Sequence, residues 1–425
     1  MPIKFVACVA TDWSDYFGGI SGRKDWCGLI GAFMSDDEIY LSTLEYFRSL
    51  YPQKTLTGFG PGPLVESEVE AWYPKLFENT VIVDIFCGDI DSKVQQPIPT
   101  QLEFQPAKLL LASGIALTPA LSVSERRARF ALDRYGSYFQ STSNGERLYL
   151  DNECDGFETS QKISLSSELG VGLAYLIAEE VLGIRHIADV KAAMVNDFVR
   201  NKADLNPGDF KETKSRKSPD YCGLTALNAL SFFEAKGTTD HNNLDSQISY
   251  GKEQLAAVEA VLLKSGPSFV IAAYLAIEKV SAFPTSVFID DPPDDNAIDS
   301  APEDIDRFLR LTYAKVFRFA GADFLADDVL GSLSGYLLPI LRRFGSLEFI
   351  PIGFSPSGDS VHLYNPIFQA LALGFPSGEL TYACRAIPPL TSTGSKVFLS
   401  NGVALMKRPI PLQRAIYRSD ELRFD

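Results

Sequence analysis

The clearest periodic pattern in the chain is a helical one near its middle. Apolar residues recur at helical spacing in SSELGVGLAYLIAEEVLG, which begins at Ser166 and closes at Gly183. Serine suits a helix N-cap, and glycine suits the residue that ends a helix. The pattern therefore predicts a helix over these residues.

Short apolar runs follow this helix and have the length of buried strands. LNALSFFEAKG, SFVIAAYLAI and TSVFID are three such runs. Between the first and the second, LDSQISYGKEQLAAVEAVLLK has the spacing of an amphipathic helix. With a hairpin strand ahead of the first run, the expected order begins α, β, β, α, β.

The flanking parts of the chain are expected to form further structure. Residues 1–155 mix apolar runs such as TVIVDIFCG with turn-rich stretches such as GFGPGP, which indicates an α/β or α+β region. Residues 290–306 are acidic and contain proline, which is typical of a surface loop or linker. We therefore expect a core over 156–292 and an α+β region over 293–425 that either stands alone or extends the core.

Composition narrows the class of protein. The 425 residues are 46% hydrophobic, enough to bury large cores, and the net charge of -15 argues against a protein that holds nucleic acid by a diffuse basic surface. The six cysteines form no C-x-x-C pair, which favours neither a zinc ribbon nor a disulfide framework. Neither a signal peptide nor a membrane span is indicated, so we expect a cytoplasmic protein without membrane contact.

One group of residues carries candidate chemistry. Pro219-Asp220 is followed, 14 residues after the aspartate, by the sequence Glu234-Ala235-Lys236-Gly237. Because side chains alternate along a strand, Glu234 and Lys236 must emerge on one face of the sheet. The apolar Leu230 precedes them on that face, so the two charges stand at the end of a buried stripe.

These residue types can support metal-dependent hydrolysis. Asp220, arriving from the neighbouring hairpin strand, would place a second carboxylate beside Glu234, and such oxygen ligands suit Mg²⁺, or Mn²⁺ in its place. A bound ion would polarise a phosphoryl oxygen and help to generate hydroxide. Lys236 would orient the attacking water or offset the charge that develops on the phosphate. Gly237 would let the backbone turn where a substrate comes close.

Together, SPDYCGL and SFFEAKGT resemble the PD and E-x-K elements of the PD-(D/E)XK, or restriction-endonuclease-like, nuclease superfamily. The resemblance covers residues from about 165 to 290. It implies an α/β fold with a restriction-endonuclease-like core, in which helices flank a mixed central sheet. It also implies a Mg²⁺-dependent nuclease that cleaves phosphodiester bonds, most naturally in DNA, with a role in restriction or anti-phage defence.

The resemblance adds further candidate residues to the site. It implies that Glu168, in the first turn of the preceding helix, is an additional acidic group that contacts the metal. It also implies that Gln247, on the following helix, lies near the attacking water. Gln254 lies seven residues further along, near the same face, and is a candidate contact to nucleic acid. Basic residues ahead of Pro219 could contact the nucleic-acid backbone: Lys211, Lys214, Arg216 and Lys217.

Simpler interpretations remain open at each position. Glu234 and Lys236 could form an ordinary ion pair, Asp220 could cap a turn, and Glu168 could serve the helix dipole. The glutamines and the basic residues could be solvated surface groups. Two other functions therefore stand beside the nuclease: a catalytically inactive binding or assembly component, and an enzyme whose chemistry lies in the flanks. The flanks could also contact a protein partner or a second copy of the chain.

Overall fold

The computed structural model describes residues 73–88, 99–121, 136–139, 144–202, 218–290, 302–330, 342–344, 346–355, 359–372 and 378–407. Sequence features that lie outside these residues include the GFGPGP turn and the basic residues that precede Pro219. No helix in the described ranges combines the length and the apolar character needed to cross a bilayer.

Strands form two main sheets and a small pair in the described residues. Their bounds are β1 Val81–Cys87, β2 Gln101–Phe104, β3 Glu146–Arg147, β4 Arg185–Asp189, β5 Val199–Asn201, β6 Tyr221–Leu224, β7 Leu230–Thr238, β8 Val258–Ala260, β9 Phe269–Tyr274, β10 Ser286–Asp290, β11 Arg342–Phe344, β12 Leu347–Phe354, β13 Ser360–Tyr364, β14 Lys396–Phe398 and β15 Val403–Met406.

Helices pack against these sheets. Their bounds are α1 Pro106–Leu117, α2 Thr159–Glu180, α3 Val190–Val195, α4 Leu244–Leu255, α5 Pro302–Phe319, α6 Asp323–Leu330, α7 Asn365–Ala372 and α8 Glu379–Arg385. Residues 73–78 are also helical. Short 3₁₀ turns occupy Gly136–Phe139, Asn152–Gly156 and His241–Asn243.

The central sheet has eight strands and mixed pairing. Seven strands run in the order β2-β1-β10-β9-β7-β6-β4, and β3 pairs with β1. The β1–β10 and β7–β9 pairs are parallel, and the β6–β7 and β9–β10 pairs are antiparallel. Every residue of β9 is buried, as expected for an apolar strand with helices on both faces. The fold is therefore α/β, with helices flanking a mixed central sheet.

Two helices approach the middle strands from opposite faces, and glycines allow the close contact. A Cβ atom at Gly170 of α2 would lie 2.5 Å from Gly237 of β7. A Cβ atom at Gly251 of α4 would lie 2.7 Å from Val270 of β9 and 3.4 Å from Glu234. Because Glu234 and Gly237 differ by an odd number of residues, they face opposite sides of the sheet, with α4 on the Glu234 side.

The central sheet runs across the first predicted boundary. Strands β1, β2 and β3 all precede residue 155, yet β1 pairs with β10 and so joins the same sheet as the predicted core. The C-terminal region instead forms its own five-stranded sheet, in the order β11-β12-β13-β15-β14. One continuous cluster of buried apolar residues includes members of both sheets.

Two predicted helix boundaries are wrong. Helix α2 begins at Thr159, earlier than the serine-rich start, because Glu158 and Gln161 form a capping box there. The amphipathic helix ends at Leu255, and Val258–Ala260 forms strand β8, which pairs with β5. Pairing with a distant strand overrides a helical pattern in the intervening sequence.

Candidate metal and catalytic site

Asp220 and Glu234 meet because they flank a short hairpin. In the β6–β7 ladder Tyr221 pairs with Phe233, which sets Asp220 opposite Glu234. The backbone N–H of Asp220 donates to Oε2 of Glu234 at 2.9 Å, and the N–H of Ala235 donates to Oδ2 of Asp220 at 3.4 Å. The two carboxyl groups therefore occupy one site, Glu234 fully buried and Asp220 exposed at its mouth.

Lys236 completes this group from the same strand. Its Nζ atom donates a short hydrogen bond to Oε1 of Glu234 and a second bond of 2.8 Å to Oε1 of Gln254. The same ammonium group lies 5.1 Å from the centre of the Tyr250 ring, a cation–π distance. Lys236 is thus held by a carboxylate, an amide oxygen and an aromatic face.

Gln254 lies inside the site. Its side chain is 5% exposed, and its Nε2 atom donates to the backbone oxygen of Ser218 at 3.2 Å. It therefore links Lys236 to the turn that carries Asp220. A buried residue with these partners positions other groups, whereas the sequence suggested that Gln254 contacts nucleic acid.

Gln247 and Tyr250 share a side of α4 with Gln254. Gln247 is three residues before Tyr250 and seven before Gln254, a spacing that aligns side chains along a helix. Gln247 is half-buried, and Tyr250 is partly exposed beside the lysine. Sequence reasoning gave Tyr250 no role, although its i, i+4 spacing to Gln254 was the signal that could have found it.

Burial and charge set the protonation of the two carboxyl groups. Burial and, after it, the nearby Asp220 raise the pKa of Glu234 from 4.5 to about 8, although Lys236 opposes the shift. Desolvation also raises the pKa of Asp220, and Lys236 again opposes this. Near neutral pH the coupled pair therefore retains a proton when no other cation is bound.

Glu168 does not join Asp220 and Glu234. It lies in the third turn of α2, not the first, because the helix begins at Thr159. It is half-buried and accepts a hydrogen bond of 3.3 Å from the hydroxyl of Ser164. The predicted role of Glu168 as a metal ligand beside the other two carboxylates is therefore corrected.

Helix packing explains the position of Glu168. Ser166 and Gly170 are the α2 residues that contact β7 at Gly237. Glu168 is two residues from each, about 200° around the helix, so it lies on the far side from the strand. Moreover, α2 covers the face of the sheet opposite to Glu234. Gly237 also has a corrected role: a Cβ atom there would lie 1.9 Å from the backbone oxygen of Ser166, so the glycine serves helix packing.

A second buried ion pair supports the site from the α2 side. Nζ of Lys315, which is fully buried, lies 2.6 Å from Oδ1 of Asp189 and 4.8 Å from the centre of the Tyr221 ring. The N–H of Val190 donates to the backbone oxygen of Asp220 at 3.1 Å. Helix α5 is thereby tied to the hairpin end that carries Asp220. No local sequence pattern predicts this ion pair, because Lys315 and Asp189 are distant in the chain.

The donor set can accommodate a divalent ion with hard oxygen ligands. Across the described ranges, no three His, Cys, Asp or Glu side chains are grouped so that they could hold a metal. The site instead offers the carboxylates of Asp220 and Glu234, while the amide oxygen of Gln254 accepts from Lys236. Two carboxylates with water and phosphate are a sufficient set for Mg²⁺ or Mn²⁺. An ion there would replace the retained proton and compete with Lys236 for Glu234.

We compared the chain with protein-family models, with curated proteins and with solved structures, and none of the three comparisons found a match. A function can therefore be proposed only from the chemistry of the site.

Proposed function

We propose that the chain is a Mg²⁺-dependent nuclease that hydrolyses phosphodiester bonds in DNA with a restriction-endonuclease-like core. One observation carries the proposal: Asp220, Glu234 and Lys236 converge at the end of the β6–β7 hairpin. The helix that follows this hairpin covers the same face and supplies Gln254. The mixed sheet and its flanking helices are compatible with such a core.

Each residue has a distinct part in the proposed reaction. Asp220 and Glu234 would hold the ion, and Mn²⁺ would serve in place of Mg²⁺. When bound, the ion supplies charge that activates water and polarises the scissile phosphate. Lys236 is held by Glu234 in the free site, and it would become available to the water or the phosphate once that carboxyl group binds another cation.

Gln254 and Tyr250 keep the lysine in place during that exchange. The Gln254 oxygen accepts from Lys236 independently of Glu234, so the ammonium group keeps a partner when the carboxylate turns to another cation. The Tyr250 ring gives it an aromatic face at the exposed side of the site. Lys236 therefore needs little movement to reach a phosphate bound next to Asp220.

The proposal is tested with the full-length protein on supercoiled plasmid, linear DNA and RNA, each with Mg²⁺, Mn²⁺ or EDTA. We expect cleavage of DNA that requires the metal and is lost in Lys236→Met. Lys162→Met is the matched control, because Lys162 also pairs with a carboxylate, Asp155, but lies at the surface away from the site. Equal cleavage by Lys236→Met and the wild type would overturn the assignment of the lysine.

A second candidate is a nuclease fold that binds or assembles without cutting. The Glu234–Lys236 ion pair favours it, because a buried carboxylate paired with lysine is also a common structural arrangement. In that case the plasmid assay gives no cleavage with any metal, and Lys236→Met lowers stability without changing nucleic-acid turnover.

A further inference from the structure

Lys315 of α5 carries a buried charge close to the hairpin end on which the proposed site lies. Its side chain is 0% exposed, and its Nζ atom lies 2.6 Å from Oδ1 of Asp189, the last residue of β4. A buried ion pair seldom stabilises a fold more than apolar side chains of similar size would. Stability is therefore a weak reason for a lysine at this position.

The carboxylate of Asp189 serves α5 and the segment after α1, not its own helix. Asp189 occupies the N-cap position of α3, where an aspartate ordinarily accepts a backbone N–H of the first turn, but its side chain makes no such bond. Its Oδ1 atom instead accepts from Lys315, and its Oδ2 atom accepts from the N–H of Ala120 at 3.2 Å. Arg318 of α5 donates to the backbone oxygen of Ala120 at 2.7 Å. The end of β4 is thus tied to two other segments.

The same contacts continue to the residues at the start of β6. The N–H of Val190 donates to the backbone oxygen of Asp220 at 3.1 Å. The Tyr221 ring lies 4.8 Å from the ammonium group of Lys315, and its hydroxyl donates to the backbone oxygen of Ala116 at 3.2 Å. The carbonyl group of Asp220 and the side chain of the next residue are therefore both held from the α2 side of the sheet.

The backbone at this point determines where the two carboxyl groups lie. Asp220 and Glu234 face α4, so the residues beside them, Tyr221 and Phe233, face the opposite side. Those two rings stack with centroids 5.3 Å apart and planes 25° apart. The hydrogen bond from the N–H of Ala235 to the Asp220 carboxylate is long, at 3.4 Å. A shift of the stacked rings would therefore move the carboxyl groups on the other face.

We propose that Lys315 is a positioning residue: with Asp189 as its partner, it fixes the end of the β6–β7 hairpin on which the candidate metal ligands lie. Groups outside a metal site commonly orient its ligands in this way. The effect of Lys315 on the hairpin does not depend on the proposed function. Its consequence for metal binding rests on that function.

The first test is hydrogen exchange of the full-length protein without metal, followed by mass spectrometry. We expect the amides of the hairpin end, residues 219–224 and 232–236, to exchange about tenfold faster in Lys315→Met. The double variant Lys315→Met/Asp189→Asn removes both charges, so urea unfolding should show most of the stability regained. Exchange at the hairpin end should nevertheless stay fast in the double variant, because the tie to α5 is still missing.

Lys108→Met is the matched control. Lys108 pairs with Glu180 at 3.1 Å and joins α1 to α2, without any residue of the hairpin. This variant should leave exchange at the hairpin end unchanged. The second test is calorimetric titration of the same proteins with Mn²⁺. Both Lys315 variants should bind the ion about tenfold more weakly than the wild type, and the control should bind it equally well.

Exchange at the wild-type rate in the double variant, together with restored stability, would overturn the inference, because the pair would then serve stability alone. Equal acceleration in Lys108→Met would also overturn it. The proposed function fails separately: a wild type that binds no Mn²⁺, with fast exchange in both Lys315 variants, contradicts the nuclease and leaves the role of Lys315 in the hairpin. Equal Mn²⁺ affinity in the wild type and all variants contradicts only the positioning of the ligands.

Discussion

Lys236 neutralises Glu234 from two residues further along the same strand, and the same ammonium group is bound by Gln254 at 2.8 Å. The arrangement couples three states of one carboxylate: protonated, paired with lysine, or bound to a cation. Burial of Glu234 makes the bare anion unfavourable. Any ion that enters must therefore displace a proton, a lysine, or both.

Metal binding should depend on pH for this reason. The pKa of Glu234 is raised to about 8, so metal affinity should rise as pH approaches 8 and level off above it. Release of one proton gives a limit of about tenfold per pH unit. Titration calorimetry with Mn²⁺ in two buffers of different ionisation enthalpy measures both the affinity and the proton release. Equal affinity at about pH 6 and about pH 8 would contradict the coupling.

The two glutamines of α4, Gln247 and Gln254, should differ in their effect on the cleavage rate. Gln254→Leu removes the contacts to Lys236 and to the Ser218 backbone, so we expect cleavage to fall about tenfold or more while the protein stays folded. Gln247→Leu is the matched control, and it should retain most of the activity. Cleavage rates measured at several pH values distinguish a loss of lysine positioning from a loss of protein stability. A misplaced Lys236 changes the pH dependence of the cleavage rate, whereas a smaller folded fraction lowers the rate without changing that dependence. The reverse order of effects would contradict the assignment.

Gly237 should be essential for packing. A Cβ atom at this position meets the backbone oxygen of Ser166 at 1.9 Å, so Gly237→Ala should lower the free energy of unfolding by more than about 2 kcal/mol. Gly156→Ala is the control, since nothing lies within 4 Å of its Cβ position. Urea denaturation followed by circular dichroism gives both values. A stable Gly237→Ala protein with impaired substrate binding would favour the substrate-contact role instead.

Glu179 should make the fold sensitive to alkaline pH. Both of its carboxylate oxygens are buried, and burial, with the nearby Glu180, raises its pKa well above 4.5. A carboxyl group whose pKa is raised on folding stabilises the folded protein fully at pH values below its ordinary pKa. This stabilisation is lost as the pH rises towards and through the raised pKa.

The measurement for Glu179 compares the wild type with Glu179→Gln. The variant should gain on the wild type as pH rises, by at most about 1.4 kcal/mol per pH unit for one proton. Urea unfolding across a series of pH values gives the difference at each pH. A difference that stays constant with pH would show that the carboxyl group does not titrate within the range.

Local sequence was sufficient for the part of the site that a single hairpin builds. Side-chain alternation along β7 and its register with β6 follow from short-range rules, which is why Asp220, Glu234 and Lys236 could be brought together in advance. To predict which of Gln247 and Gln254 contacts Lys236, one must know the direction in which α4 crosses the sheet. Local sequence does not give that direction. The position of Glu168 depended on the true start of α2 and on which face that helix covers.

The features that the sequence did not predict depend on contacts between residues that are distant in the chain. Strand β1 joins the central sheet through β10, about two hundred residues away, so a boundary drawn from local composition could not reveal the shared sheet. The Lys315–Asp189 pair likewise joins residues from different regions. The order of helices and strands in the central region was predictable from apolar periodicity, whereas the helix-flanked mixed sheet was expected only from the family resemblance.

Plasmid cleavage by Asp220→Asn, compared with the wild type in Mg²⁺ and in EDTA, shows whether metal-dependent hydrolysis requires the Asp220 carboxylate. Asp155→Asn, which changes an exposed aspartate outside the site, is the matched control. We expect cleavage by the wild type and the control in Mg²⁺ alone, and none by Asp220→Asn in either condition. Cleavage by Asp220→Asn at the wild-type rate, or cleavage that persists in EDTA, would contradict it.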